Sequence, residues 1–244
     1  MPDDSLTGAA LAEASEKDLR EYGAVSRWSV ASLILGVVSF VALYAPLLLI
    51  VPVLGAFAAW RALIGIRESD MALVGRKAAL AGLALSTMFA TAVPAQYAAA
   101  RWWLLQEADA FGRQWFDYVK HDEPLKANQL CVPPTQRVPL ENREQLLEYY
   151  QIKEGARDEI KFFLNDDLIK VLLRLGEKAQ VRLYANEAFT QRRAVGVTNV
   201  YAVSYLDGTN KKTFFVRLVL EQSSVGDEWQ IVNYDGGIRP ESPP

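Results

Sequence analysis

The residues of this 244-residue chain that could move a proton, one histidine with several aspartates and tyrosines, stand mostly in its second half. The candidates are His121, Tyr201, Tyr205 and Asp235, with Asp117, Tyr184 and Tyr234 as further members of the set. An aspartate or histidine would take the proton and a tyrosine would donate one, as in general acid–base catalysis. His121 is the only histidine and titrates near neutrality when unperturbed, yet Lys120-His121-Asp122-Glu123 also reads as a solvated helix end. Tyr201 and Tyr205 fall on one strand face and would border a pocket, although tyrosines of a sheet commonly fill core or rim. Asp235-Gly236-Gly237 reads first as a chain-ending turn.

Other chemistries lack their residues. There is no glycine-rich loop leading to Lys and Ser or Thr, no histidine pair and no Gly-x-Ser-x-Gly elbow, so neither cofactor nor metal is expected. Cys131 is the single cysteine, which excludes an intramolecular disulfide and the cysteine-rich zinc sites. A net charge of -3 provides no basic field for nucleic acid. Arg192 and Arg193, with Lys211 and Lys212, read as solvated hairpin tips.

The elements that must position these residues divide into two unlike halves. Thirty-three consecutive residues, Trp28 to Trp60, carry no charge, and a second such run of 23 extends from Ala78 to Ala100. A bilayer span needs roughly 20 apolar residues. A helix of the first run would be about 50 Å long, too long for one upright crossing. Ala45-Pro46 and Pro52 break it, which predicts a helical hairpin of Val25 to Tyr44 and Leu47 to Ile66; one tilted, kinked helix is the alternative. The region before it holds six acidic and three basic residues, the reverse of a signal peptide's positive start.

Between the runs lie Arg61, Arg67, Arg76 and Lys77 against only Glu68 and Asp70. Short loops rich in Lys and Arg stay in the cytoplasm, so everything after Trp103 is expected outside it. The N-terminus is inside with two crossings of the first run and outside with one. Tyr97, Trp102 and Trp103 fit an aromatic belt at the membrane interface. Ser32 and Gly36, Gly75 and Ala79, and Gly82 and Ser86 recur at the spacing that lets helix backbones approach closely in lipid. Neither run contains Asp, Glu, Lys, Arg or His, which argues against transport.

The expected organisation is a polar, disordered tail over residues 1–24, a transmembrane module over 25–103, a soluble α+β domain over 104–236 and a disordered tail over 237–244. Within the module the hairpin takes 25–66, the basic loop 67–77 and the last span 78–100. Past Trp103, Ala108, Phe111, Trp115 and Tyr118 form an amphipathic helix. Asp122 is placed as N-cap of a short helix from Glu123 to Leu130. Helices over Glu141 to Ile152 and Ala156 to Leu175 follow, the latter ended by Gly176. Alternation predicts strands Ala179 to Thr190, Val195 to Leu206, Lys212 to Gln222 and Glu228 to Tyr234, turned at Asp207-Gly208 and Val225-Gly226-Asp227.

The N-terminal half resembles the bacterial membrane module catalogued as domain of unknown function 4190. Its Ser-Leu-x-x-Gly, Ala-Leu-x-x-Ile and Gly-Arg-x-x-Ala-x-x-Gly patterns match at Ser32, Leu33 and Gly36, at Ala62, Leu63 and Ile66, and at Gly75, Arg76, Ala79 and Gly82. That resemblance implies a membrane location and no assigned activity. The C-terminal half, helices packed on a four-stranded antiparallel meander closing on Trp229-Gln230-Ile231-Val232, is similar in element order to the cone of nuclear-transport-factor-2-like and cystatin-like domains. That class spans isomerases, dehydratases, ligand binders and interaction modules. The expectation is a multi-pass cell-membrane protein whose extracytoplasmic domain binds a protein or small apolar ligand without catalysis. A tethered isomerase or dehydratase using an acid–tyrosine pair in the cone is the alternative.

Overall fold

The computed structural model describes residues 27–43, 46–68, 76–191, 194–223 and 226–238. The expectations for residues 1–24, Gly75, the Arg192-Arg193 tip and most of the C-terminal tail lie outside these. The chain divides into two compact units, Met1–Ala99 and Ala100–Pro244.

In the first unit, helix α1 (Arg27–Val38) continues as a 3-10 segment (Ser39–Leu43). A second 3-10 segment (Pro46–Leu49) leads into α2 (Ile50–Glu68). Proline lacks the amide that a helix interior requires, and the helix is regular only once past Pro46. Helices α1 and α2 pack side by side. The third helix, α3 (Arg76–Lys120), is one 45-residue element that contains Pro94 and supplies residues to both units. Leu47–Gly65 and Arg76–Lys120 are long and apolar enough to cross a membrane by length and composition.

Small residues make the contacts of this unit. A Cβ at Gly36 would lie 3.0 Å from the Gly82 carbonyl oxygen, and one at Gly82 would lie 2.6 Å from the Ser32 backbone. One at Gly55 would collide with the Ser86 hydroxyl. Ser29, Ser32, Ser39 and Ser86 are buried, whereas Leu47, Ile50, Ile34 and Trp60 are 90, 62, 58 and 56 % exposed.

The second unit has α4 (Pro124–Gln129), a 3-10 turn (Pro134–Gln136), α5 (Arg143–Ile152), α6 (Glu154–Asn165) and α7 (Asp167–Leu175). Four strands follow, β1 (Gln180–Gln191), β2 (Ala194–Asp207), β3 (Asn210–Gln222) and β4 (Trp229–Gly236), in an antiparallel meander of order β1-β2-β3-β4. Helices followed by a four-stranded antiparallel sheet are thus the architecture of this unit. Inward residues of the sheet, Val197, Tyr201, Val203, Val216, Leu218 and Leu220, close on Trp115, Phe116 and Val119 of α3 and on Ile169 and Leu172 of α7.

Several expected boundaries are corrected. The single helix from Ala156 to Leu175 is two, because Asp166 leaves helical geometry (ψ 134) and its carboxylate accepts from the Leu168 and Ile169 amides, capping α7. Asp122 does not cap α4: its φ of 58° is left-handed, and the helix opens at Pro124 after Glu123. The second helical region starts at Arg143 rather than Glu141, with Asn142 as the cap. The tight hairpin loop is Gly208-Thr209, between the paired Asp207 and Asn210, and Gly208 has a φ of 63°.

Two bulges re-aim the edge strands. Tyr184 is the extra residue of β1, between the pairs Leu183–Tyr201 and Ala185–Val200. After it the inward position passes to Ala188, which packs on the core. Val232 is the extra residue of β4, between the pairs Leu220–Ile231 and Val219–Asn233. Alternation from Trp229 and Ile231 would have turned Asp235 inward; the bulge turns Tyr234 inward instead. Asp235 therefore lies within β4 opposite Arg217 and is not a chain-ending turn.

Candidate functional site

The sequence-derived candidates do not converge. His121 sits at the exposed end of α3, where its Nδ1 lies 2.7 Å from the Asp117 carbonyl oxygen and its Nε2 lies 3.7 Å from the Glu177 carboxylate. Asp235 accepts from the Arg217 guanidinium at 2.9 Å. Tyr205 packs edge-on against Phe214 with ring centroids 6.2 Å apart. Tyr201 borders no open pocket: it is fully buried under α3, where a Cβ added at Gly112 would run into its hydroxyl.

An acid does stand beside that tyrosine, and it is Asp109. The Tyr201 hydroxyl donates to the Asp109 backbone carbonyl oxygen at 3.3 Å and accepts from Asn199 Nδ2 at 3.0 Å. The Asp109 carboxylate accepts from Arg113 Nε at 2.9 Å, one turn along α3. Burial, then the neighbouring Asp109 charge, push the Tyr201 phenol upward, against a smaller opposing pull from the Asn199 bond. The phenol is therefore neutral at physiological pH and clamped on both sides. Asn199 had a visible signal, since it interrupts the apolar inward positions Val197, Tyr201 and Val203 of β2. Asp109 had less, being one more polar residue on a helix.

The cavity of this unit with the most varied chemistry lies elsewhere, among the loop after α4, helices α5 and α6, and β4. Its volume is about 370 Å³, and its walls include Cys131, Tyr149, Lys153, Glu159, Phe163 and Tyr234. The loop is pinned to β4. The Ile231 amide donates to the Leu130 carbonyl at 3.0 Å and Gln230 Nε2 to the Cys131 carbonyl at 2.9 Å. Arg137 donates to the Gln129, Val132 and Trp229 carbonyls at 3.0, 3.2 and 2.8 Å, with Glu228 3.8 Å away. Behind the loop, Gln129 Nε2 donates to the Tyr150 hydroxyl at 2.9 Å, which donates to Asn128 Oδ1 at 2.7 Å.

The aromatic rings pack edge to face or tilted, with centroids 5.5 Å apart for Trp115 and Tyr234, 5.8 Å for Phe163 and Tyr234, and 6.3 Å for Trp115 and Phe163. Lys153 holds its ammonium 4.8 Å from the Tyr149 ring centroid, and Phe162, on the same rim, is 78 % exposed. Burial pushes the Cys131 thiol up to about 12, outweighing the Trp115 indole and the Arg137 charge, which pull it down. Burial also raises Tyr234, helped by the negative charge of Asp166. A thiol held protonated is a poor nucleophile. The cavity thus offers aromatic surface, neutral donors, one cation in Lys153 and one carboxylate in Glu159, which is a set suited to binding.

Tyr234 also borders a second cavity, about 460 Å³, beside Asp166, Leu168, Phe214 and Asp235. Among the described residues no group of three or more His, Cys, Asp or Glu side chains is arranged to hold a metal. The fold and cavities define a helix-plus-meander α+β domain with an aromatic cleft. No family model, curated protein or solved structure matches the chain.

Proposed function

We propose that this chain is a multi-pass membrane protein whose C-terminal α+β domain lies outside the cytoplasm and binds a small apolar ligand, or an apolar side chain of a partner protein, without catalysis. The observation that carries the membrane assignment is the inverted burial of the first unit, where serines and glycines are inside and large apolar side chains outside. In water that arrangement is costly, at roughly 25 cal/mol for each Å² of exposed apolar surface. In lipid it costs nothing, and close backbone contact through small residues drives packing there. The resemblance to domain of unknown function 4190 agrees with this reading.

Orientation follows from Arg61, Arg67, Arg76 and Lys77, which keep the intervening loop cytoplasmic. Tyr97, Trp102 and Trp103 then stand at the outer interface, with the last two rings 5.0 Å apart. The helix-and-meander order supports a nuclear-transport-factor-2-like cone for the soluble domain. The inward face of its sheet is covered by Trp115 and Phe116, which disfavours a tethered isomerase or dehydratase. Asp109 and Tyr201 supply an acid–phenol pair, yet Gly112 lies too close to the Tyr201 hydroxyl for even a methyl group. The cleft at Cys131 supplies the aromatic walls that suit an apolar ligand.

Reporter fusions within residues 67–75 and after Trp103 test the assignment, with activity expected on opposite sides of the membrane. A cytoplasmic reporter after Trp103 would overturn the orientation. Recovery of the intact chain as a monodisperse species without detergent would overturn the membrane assignment itself.

A further inference from the structure

Arg67 and Arg76 do more than mark a cytoplasmic loop. They border one cavity of about 560 Å³ whose other walls are Trp60, Leu63, Ile64 and Leu80. Arg67 lies in the last turn of α2 and Arg76 is the first residue of α3, so the chain brings the two guanidiniums together from the ends of consecutive apolar helices. Among the described residues that line it there is no carboxylate. Loop topology alone needs only positive charge near the span ends. It does not need two arginines on one cavity with an apolar floor.

We propose that this cavity binds the phosphate headgroup of an anionic phospholipid. The guanidiniums hold the phosphodiester oxygens, for which their planar donor fork is suited, and Trp60, Leu63, Ile64 and Leu80 contact the glycerol and the first acyl carbons. The candidate spans end at Gly65 and begin at Arg76, which puts the cavity at the headgroup end of both. A volume of this size is within the range of small-ligand sites, about 300–1,000 Å³. Two cations with no carboxylate among the described lining residues favour an anionic lipid over a zwitterionic one, whose own ammonium they repel. Free phosphate shares the anionic chemistry but has no use for the apolar walls. The inference rests on the membrane assignment above.

The test uses the full chain in neutral detergent, offered equal amounts of palmitoyl-oleoyl phosphatidylglycerol and phosphatidylcholine, with retained lipid read by native mass spectrometry. Phosphatidylglycerol is expected to be retained preferentially. Arg67→Gln with Arg76→Gln lowers that preference by roughly 25-fold, about fivefold for each guanidinium lost. Arg61→Gln with Lys77→Gln, exposed basic residues outside the cavity wall, leaves it unchanged. Equal retention of both lipids, or an equal loss in the Arg61/Lys77 pair, overturns the site. Displacement by excess inorganic phosphate overturns the lipid assignment in favour of a free anion. Flotation of wild type and variants with phosphatidylcholine vesicles separates the two claims. A chain that floats without lipid preference loses only this site, and one that stays unbound loses the membrane assignment and the site together.

Discussion

Between the two units the side chains that carry packing exchange places: Gly36, Gly55, Gly82, Ser32 and Ser86 are inside the first, while Trp115, Phe116, Leu218 and Ile231 are inside the second. On the membrane reading proposed above, each pattern suits its own solvent. Water drives large apolar groups inward by about 1.5–3 kcal/mol apiece. Lipid gives no such drive, so helices associate through backbone proximity that only small residues permit. The same residue type therefore has opposite meaning in the two regions, and substitutions matched across them measure how complete the contrast is.

The largest contrast is expected between two tryptophans. Trp115 is fully buried, so Trp115→Ala should cost the second unit about 3–5 kcal/mol. Trp60 is an outward-facing residue of α2, and Trp60→Ala should change the stability of the first unit by only about 0.5 kcal/mol. Urea unfolding followed by near-ultraviolet circular dichroism reads the former, and titration with sodium dodecyl sulfate in mixed micelles reads the latter. A Trp60 cost as large as that of Trp115 would mean that water-type burial also holds the first unit together.

Enlarging a small residue inverts the comparison. Gly82→Val places its Cβ against the Ser32 backbone at 2.6 Å, where no side-chain rotation relieves the overlap. A loss of about 1–3 kcal/mol is expected in the micelle titration. Gly208→Val at the exposed hairpin tip meets no neighbour. Its strain comes only from the φ of 63°, and its effect should be confined to the second unit.

Strand alternation and the charge-free runs were legible because each is a local pattern whose meaning does not depend on a distant partner. The bulges at Tyr184 and Val232 were not, since a bulge is defined by the register of the neighbouring strand. That hidden residue in β4 is what moved Asp235 outward and Tyr234 inward. Asp166 escaped notice for a different reason: the apolar stripe from Ile160 to Leu175 runs through it, so periodicity masked a good cap. The cleft was the least legible feature. Its walls come from Cys131, from the α5–α6 segment around Lys153 and from Tyr234, parts of the chain that only the folded loop and sheet bring together.

Alkaline pH should act on the second unit through its buried acids. Cys131 is raised from 9.0 to about 12, and Tyr150, Tyr201 and Tyr234 are raised from 10.0. Each group is protonated in the fold and loses its proton more readily when unfolded, so the unfolded state binds fewer protons above pH 9. The contribution is intact below that point and falls as pH rises toward the folded values, by about 1.4 kcal/mol per pH unit for each group. Urea midpoints should begin to fall near pH 9.0 in the wild type, where an unburied thiol titrates, and near pH 10.0 in Cys131→Ala, where an unburied tyrosine does. An unchanged onset would show that the thiol is not held protonated by the fold.

The smallest effect tests whether hydroxyls or size matter in the first unit. Ser32 Oγ donates to the Ser29 carbonyl at 2.9 Å, within its own helix. Losing that bond frees no interhelical partner, so Ser32→Ala should cost no more than about 0.6 kcal/mol, the average for hydrogen bonds between membrane helices. Ser32→Leu, by contrast, must fit a bulky side chain where the Gly82 Cβ position already lies 2.8 Å from the serine hydroxyl. It should therefore separate α1 from α3. If alanine proved as damaging as leucine, the buried serines would act as polar glue rather than as spacers, and the contrast between the units would lie in hydrogen bonding instead of side-chain volume.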